Sequence, residues 1–279
     1  MPENIDQLSA AAAYSIDFAR QKLSGLSIVC LTGAGISTDS GIPDYRGEGR
    51  VVRHPMTYDV FMGSHEARVR YWARSYVGWS RIAEAKPNAG HRALAKAQIE
   101  GKLGAIITQN VDGLHQVAGA SNVIDLHGRL DQVICTNCRQ QITRQTMDGW
   151  LRELNPGVQK DSNIEFAPDG DADIEAAENF QVPSCPSCRG LLKPDVVFFG
   201  ESVPPERADR AMSLVEAADA LLVAGTSLTV NSGMRFARAM AKADKPIVIV
   251  NLGATKADEL ALAKIEANTS LALERLLIG

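Results

Sequence analysis

Residues 31–47 read LTGAGISTDSGIPDYRG. The first half has the form of a glycine turn closing a buried strand. Gly33 and Gly35 carry no side chain, so backbone N–H groups there can approach a pyrophosphate closely. The dinucleotide fingerprint is incomplete: its third glycine would fall at position 38, where Thr38 stands. No acidic residue ends a strand about 20 residues on, where ribose recognition needs one. A GxG alone reads equally as a tight turn. The second half stops a helix, because Gly41 and Pro43 break it. Residues 41–54 therefore read as a loop that folds over whatever the turn holds, with Asp44 and Arg46 facing it. The other reading is a surface loop with a local Asp44–Arg46 ion pair.

Working outward, the turn closes one of four apolar runs of strand length: LSIVCLTG (26–33), GAIITQN (104–110), ALLVAGTSL (220–228) and PIVIVNLG (246–253). None alternates cleanly, which fits strands buried on both faces of a parallel sheet. Helical segments at 88–101, 205–217 and 233–243 lie between them, so the expected fold class is α/β, a Rossmann-like doubly wound parallel sheet. Such sheets bind ligands at the carboxyl ends of their strands. Here those ends carry Gly33, Gln109, Asn110, Gly225, Thr226, Ser227 and Asn251. Ser37, Thr226 and Ser227 offer hydroxyl donors to phosphate, and Asn251 stands in for the missing ribose acid.

Two regions break the rhythm. Residues 55–86 are helical and aromatic (RVRYWARSYVGW), and 130–192 hold two CxxC pairs and a polar stretch. They are expected to pack together as a smaller inserted domain, made of a helical module and a zinc-binding module. The Rossmann-like domain then comprises 1–54, 87–129 and 193–279. In the pairs Cys135/Cys138 and Cys185/Cys188, four thiolates offer the tetrahedral set of structural Zn²⁺, with no position left for water. The 46 residues separating the pairs exceed the usual spacing, but loop closure costs only logarithmically more with length. Cys30, alone in an apolar run, reads as a small buried hydrophobe.

Other polar groups cluster at the strand ends. In TQNVDGLH (108–115), Gln109 and Asn110 each offer a donor and an acceptor. Asp112 either accepts from an amide NH₂ or caps the helix holding His115. His127, beside Gly128 in DLHGRL, is either a structural histidine or a base near neutral pH. His54, His65 and His91 have no neighbours in sequence that suggest chemistry. KPDVVFFGE (193–201) is either an exposed edge that pairs with an extended peptide or a buried strand returning to the main sheet.

A formal net charge of −4 lacks the basic footprint of a nucleic-acid binder, and no apolar run nears the roughly 20 residues that span a bilayer. The start of the chain, with Glu3, Asp6 and Asp17, lacks the basic opening of a secretory leader. It reads as an amphipathic helix of a cytoplasmic protein. A zinc-containing dehydrogenase would need a ribose acid and a hydride-acceptor site.

Taken together, GAGISTDSGIPDYRG, TQNVDGLH, LHG, the CxxC pairs, KPDVVFFGE, GTSLTV and VNLG occur in an order that resembles the sirtuin family, NAD-dependent protein lysine deacylases. The similarity spans about 28–253. It looks closest to class II, and YWARSYVGW, APDGD and FQVPSC are similar to the mitochondrial sirtuin four type. The resemblance implies NAD and one structural zinc as cofactors, and acyl-lysine proteins or peptides as partners. It places Gly33, Ala34, Gly35, Ser37, Gly225, Thr226, Ser227 and Asn251 at the ADP part of NAD. Asp44, Tyr45 and Arg46 fall in the cofactor loop, with Tyr45 where phenylalanine is common. Gln109 and Asn110 fall at the nicotinamide ribose, and Asp112 at the carboxamide. His127 becomes the general base, Asn110 its catalytic companion, and Val196 and Phe198 line the acyl-lysine channel. Tyr71 and Arg74, spaced like the pair that reads acidic acyl groups in class II, imply a preference for bulky or carboxylated acyl groups. Mono-ADP-ribosyl transfer from the same NAD site is the alternative.

Overall fold

The structure is a computed structural model that describes residues 8–45, 55–158 and 179–279. Helix α1 (Ala10–Leu23) opens the described chain, capped by the Ser9 hydroxyl, which accepts from the Ala12 amide. Strand β1 (Ile28–Thr32) follows. After the glycine turn come α2 (Tyr58–Gly63), α3 (His65–Glu84), α4 (Ala89–Ile99), β2 (Leu103–Thr108), α5 (Leu114–Val117) and β3 (Val123–Asp125). Then come β4 (Gly128–Cys135), β5 (Gln141–Thr143), α6 (Arg144–Leu154) and β6 (Leu192–Val196). The chain closes with α7 (Pro205–Ala217), β7 (Ala220–Ala224), α8 (Asn231–Lys242), β8 (Ile247–Val250), β9 (Ala263–Ile265) and α9 (Thr269–Leu277).

The main sheet has six strands in the order β3-β2-β1-β7-β8-β9, all parallel. Both faces are covered, which explains the unbroken apolar runs. Alternate residues of β1 enter opposite cores. Ile28 and Cys30 join Ile16, Leu94 and Leu273 from α1, α4 and α9. Val29 and Leu31 join Val215, Phe236 and Met240 from α7 and α8. Cys30 is fully buried, and burial pushes its thiol pKa far up. The order reverses between β1 and β7, so the carboxyl ends of these neighbours flank the crevice where open α/β sheets take ligands.

The second sheet is antiparallel, in the order β5-β4-β6. The divisions at 129/130 and 192/193 read from the sequence fall within β4 and just inside β6. Its core is shared with α2 and α3: Phe61, Trp72 and Tyr76 pack with Val133, Met147, Leu151 and Leu192. Arg144 of α6 is 1% exposed and lies over the rings of Trp72 and Trp79 while donating to Ser75 Oγ and O. This guanidinium fastens the cysteine-bearing segment to α3.

KPDVVFFGE fits neither expected form in full. Its first part is β6, an edge strand of the small sheet. The next residues leave the strand, with the Val197 amide donating to His127 O at 2.8 Å. Among the described residues no helix is long and apolar enough to cross a membrane.

Candidate functional site

Between the two sheets lies a cavity of about 880 Å³, floored by the carboxyl ends of β1, β2, β7 and β8. The floor begins with two interleaved turns. The Gly33 amide donates to Ala224 O (3.1 Å) and the Gly35 amide to Gly225 O (2.8 Å). A Cβ on Gly33 would stand 2.6 Å from Thr226 Cβ, and one on Gly225, whose φ is +64°, would stand 2.4 Å from Ile36 N. Only glycine allows this closeness. The following chain forms two 3₁₀ turns, Ala34–Ile36 and Thr38–Ser40, and stops at Gly41 with φ +81°. No long helix follows the turn, as Gly41 and Pro43 predict. Asp44 and Tyr45 line the cavity, and the Tyr45 ring meets Phe199 edge-on at 6.1 Å. Arg46 lies outside the described residues, as do 159–178, which hold most of the polar stretch.

A polar hub stands behind the floor. Ser37 Oγ donates to Asp112 Oδ2 (2.7 Å) and accepts from Asn110 Nδ2 (2.9 Å), which also reaches Asp112 Oδ2 (3.3 Å). The other Asp112 oxygen accepts from the Leu114 amide at 2.9 Å, so one carboxylate ties the start of α5 to the hub. Ser37 lines the cavity, with its hydroxyl proton directed at Asp112. Gln109 donates to Thr226 Oγ1 at 2.9 Å, joining the β2 and β7 ends. Asn251 is buried and donates to Leu252 O and Gly253 O, shaping the turn after β8.

His127 sits where β3 gives way to β4. Its Nδ1 is 2.9 Å from Gln109 O and its Nε2 2.8 Å from Ser232 Oγ. A carbonyl only accepts, so Nδ1 carries the hydrogen and Nε2 presents a lone pair. Burial lowers the His127 pKa and the charge of Arg207 adds to this, against the Gln109 bond, which raises it. The ring is held neutral and basic at Nε2.

The opposite wall is apolar. Phe198 stacks on Phe61 (5.1 Å) and meets Tyr71 edge-on (5.2 Å); Val196, Phe198 and Tyr71 all line the cavity. Arg74, half-buried on α3, is not among the lining residues. Of the sequence-predicted cavity residues, all the described ones except Arg74 converge here.

Three contributors escaped the sequence reading. His91 is buried with Nε2 3.5 Å from Ser37 Oγ, and its Nδ1 accepts from the Asn88 amide. Asn88 followed three residues later by a side chain that reaches back is a capping-box spacing, and that was the available signal. Lys193, 5% exposed, donates to Val196 O and pairs with Glu201 (3.0 Å), whose Oε2 also accepts from the Phe198 amide. This clasp sets the 196–198 wall. Nothing in NSG at 231–233 announces Ser232.

At the end of β4 away from His127, the Sγ atoms of Cys135, Cys138, Cys185 and Cys188 all lie within 4.8 Å of one another. The Gly190 amide donates to Cys188 Sγ at 3.4 Å and pulls that thiol down to about 6. A Cβ on Gly190 would stand 2.9 Å from Cys135 Sγ. Four converging sulfurs with an amide stabilising thiolate charge suit one tetrahedral Zn²⁺.

A glycine-lined switch point, an amide and carboxylate hub, and a neutral imidazole define a nucleotide-site α/β protein that also carries a tetrathiolate module. Residues 33–232 match the model of the Sir2 family. A "NAD-dependent protein deacetylase" of Xanthomonas campestris pv. campestris is 53% identical over 247 residues, covering 87% of this chain and 84% of that protein. "NAD-dependent protein deacetylase 1" of Streptomyces coelicolor is 52% identical over 242 residues, covering 85% and 81%. A solved structure described as "Sir2-p53 peptide-NAD+" superposes with a TM-score of 0.75 at 32% identity, covering 93% of this chain and 95% of that one. The chain belongs to the Sir2 family, the sirtuins.

Proposed function

We propose that this sirtuin is an NAD-dependent protein deacetylase acting on acetyl-lysine in protein or peptide substrates. The observation that carries the reading is the convergence, in one cavity, of the Gly33/Gly225 crossover with the Nε2 lone pair of His127. Its volume falls in the range of small-molecule sites, roughly 300–1,000 Å³. Glycine at 33, 35 and 225 lets the ends of β1 and β7 meet without intervening side chains at the cavity floor. When bound, NAD supplies the sugar carbon that takes the acyl oxygen as nicotinamide departs.

The chain's own residues then have separable tasks. Gly33, Ala34, Gly35, Gly225, Thr226 and Ser227 cradle the diphosphate, and Asn251 meets the adenosine ribose. Gln109 and Asn110 face the nicotinamide ribose, and Asp112 faces the carboxamide while Ser37 holds it. His127 takes a ribose hydroxyl proton at Nε2. Asp44 and Tyr45 face the cofactor from the cavity wall, supported by the Tyr45–Phe199 contact, and Arg46 of the same motif shares that role. Val196, Phe198 and Tyr71 sheathe the lysine and exclude water. One Zn²⁺ held by the four cysteines stabilises the small domain without touching the reaction. Thiols kept reduced suit a cytoplasmic location.

Class II character of the sirtuin four type rests on YWARSYVGW and the APDGD stretch. A preference for bulky or carboxylated acyl groups rests on Tyr71 in the cavity wall, with Arg74 on the same helix. The reading carries the division of the chain into a Rossmann-like domain (1–54, 87–129, 193–279), a helical module (55–86) and a zinc-binding module (130–192). Incubation with NAD and a mixed acyl-lysine peptide panel, read by mass spectrometry, tests the whole. Expected products are nicotinamide, free lysine peptide and acyl-ADP-ribose. ADP-ribosylated protein as the sole product refutes deacylation, and acetyl as the best substrate refutes the finer preference.

A further inference from the structure

Ser232 is the second residue of α8, whose N-cap, Val230, offers no side-chain cap. Its hydroxyl is not spent on the helix end; it lies 2.8 Å from His127 Nε2. Because Nδ1 must donate to Gln109 O, the Ser232 hydroxyl must be the donor to Nε2. A Cβ on Gly233 would stand 2.8 Å from Gln109 Oε1, so glycine leaves room there for the Gln109 side chain as Thr226 Oγ1 holds it. Gln109 also supplies the carbonyl that fixes Nδ1. Gly233, Gln109, His127 and Ser232 thus close a ring, and both nitrogens of the imidazole are set by it.

We propose that Ser232 is a positioning residue for His127, holding the Nε2 lone pair aimed into the cavity and ceding it to an incoming ribose hydroxyl. This rests on the reading of His127 as the base. A ribose O–H entering the cavity replaces one donor with another of the same kind, so the imidazole need not turn or change tautomer. The proton lost by the ribose oxygen goes to Nε2, and the Ser232 oxygen is then available to accept from the new N–H. Arg207, the charged group acting on the ring, is unaffected by this exchange.

The test uses the full chain as Ser232→Ala, Ser232→Thr and His127→Ala. The first readout needs no cofactor: the His127 titration midpoint, followed by nitrogen-15 NMR of histidine-labelled protein. A donor to the lone pair favours the neutral ring, so Ser232→Ala is expected to raise the midpoint and Ser232→Thr to keep it. The second readout is turnover with NAD and an acetyl-lysine peptide. Loss of the bond that the Ser232 oxygen accepts from the newly protonated ring predicts about a tenfold fall in kcat for Ser232→Ala, with the KM for NAD within about twofold. Ser232→Thr is expected to recover most of that loss. An unchanged midpoint in Ser232→Ala, or equal damage from Ala and Thr, overturns the proposal. Full turnover by His127→Ala overturns the base reading itself, so the two failures are distinguishable.

Discussion

Replacing Asp112 with asparagine changes one atom type at the centre of the hub. The carboxylate accepts three hydrogen bonds: from the Leu114 amide (2.9 Å), Ser37 Oγ (2.7 Å) and Asn110 Nδ2 (3.3 Å). A carboxamide keeps one acceptor. If its oxygen serves Leu114, its NH₂ faces Asn110 and Ser37, and the Ser37 oxygen already accepts from Asn110 and sits beside His91. The Ser37 hydroxyl proton is left without an acceptor. Bonds to a charged acceptor contribute about 1.5–3 kcal/mol each, and Asp112 is half-buried, so the low end applies. Losing two gives about 2–3 kcal/mol, a fall in Tm of about 5–10 °C. Asn110 loses its aim, and kcat/KM is expected to fall about a hundredfold, near 2.7 kcal/mol of barrier. The hub argument demands coupling: in a Ser37→Ala background the same Asp112→Asn change should cost about 1 kcal/mol less. Calorimetry of the four proteins decides it. Equal costs in both backgrounds would show that Ser37 and Asp112 act independently, and the hub would be a coincidence of position.

Cys135→Ala should release bound zinc, measured by elemental analysis, and lower the Tm sharply, since structural zinc contributes on the order of 10 kcal/mol in small zinc peptides; unchanged zinc content refutes the tetrathiolate. Burial lowers the His91 pKa to about 4, so the folded state keeps this ring neutral while the unfolded chain takes a proton below about 6.5. Its contribution is intact above that pH and is lost toward pH 4 at up to about 1.4 kcal/mol per pH unit. Denaturant titrations should show a shallower acid slope in His91→Gln than in the wild type, and identical slopes refute the assignment. Because Tyr71 lines the cavity and Arg74 does not, Tyr71→Ala is expected to alter the ranking of acyl peptides by kcat/KM more than Arg74→Met does; the reverse order would show that Arg74 reaches the acyl group.

The parts legible in the sequence were those fixed by local rules. Apolar runs announced the buried strands because both faces of this sheet are covered. Gly41 and Pro43 announced the end of the glycine turn, and the CxxC pairs announced their cluster. What remained hidden was set by long-range approach. In sequence, Ser37 shows only its neighbouring glycine turn. Its neighbour in space is Asp112, 75 positions away, and that carboxylate takes the proton. Arg74 shares a helix with Tyr71, but spacing on one helix says nothing of which wall the helix presents. Lys193 and Glu201 lie in one motif, yet the clasp they form needs the chain between them to leave its strand.

The same long-range logic decides where His127 stands. His127 is the last residue before β4, so it belongs to neither sheet and is held by both. The Leu126 amide donates to Thr108 O, anchoring the main-sheet side, and the His127 carbonyl accepts from Val197 beyond β6, anchoring the small-sheet side. The join is made at Gly128, with φ +82°, where a Cβ would stand 1.9 Å from Asp195 O. No side chain can occupy that point without parting β4 from β6. The imidazole is thus fixed by a residue that has none of its chemistry. Any shift of the small sheet relative to the large one must act on His127 through this join, and on the wall of Val196 and Phe198 at once. One backbone crossing therefore ties the position of the Val196 and Phe198 wall to that of the His127 ring.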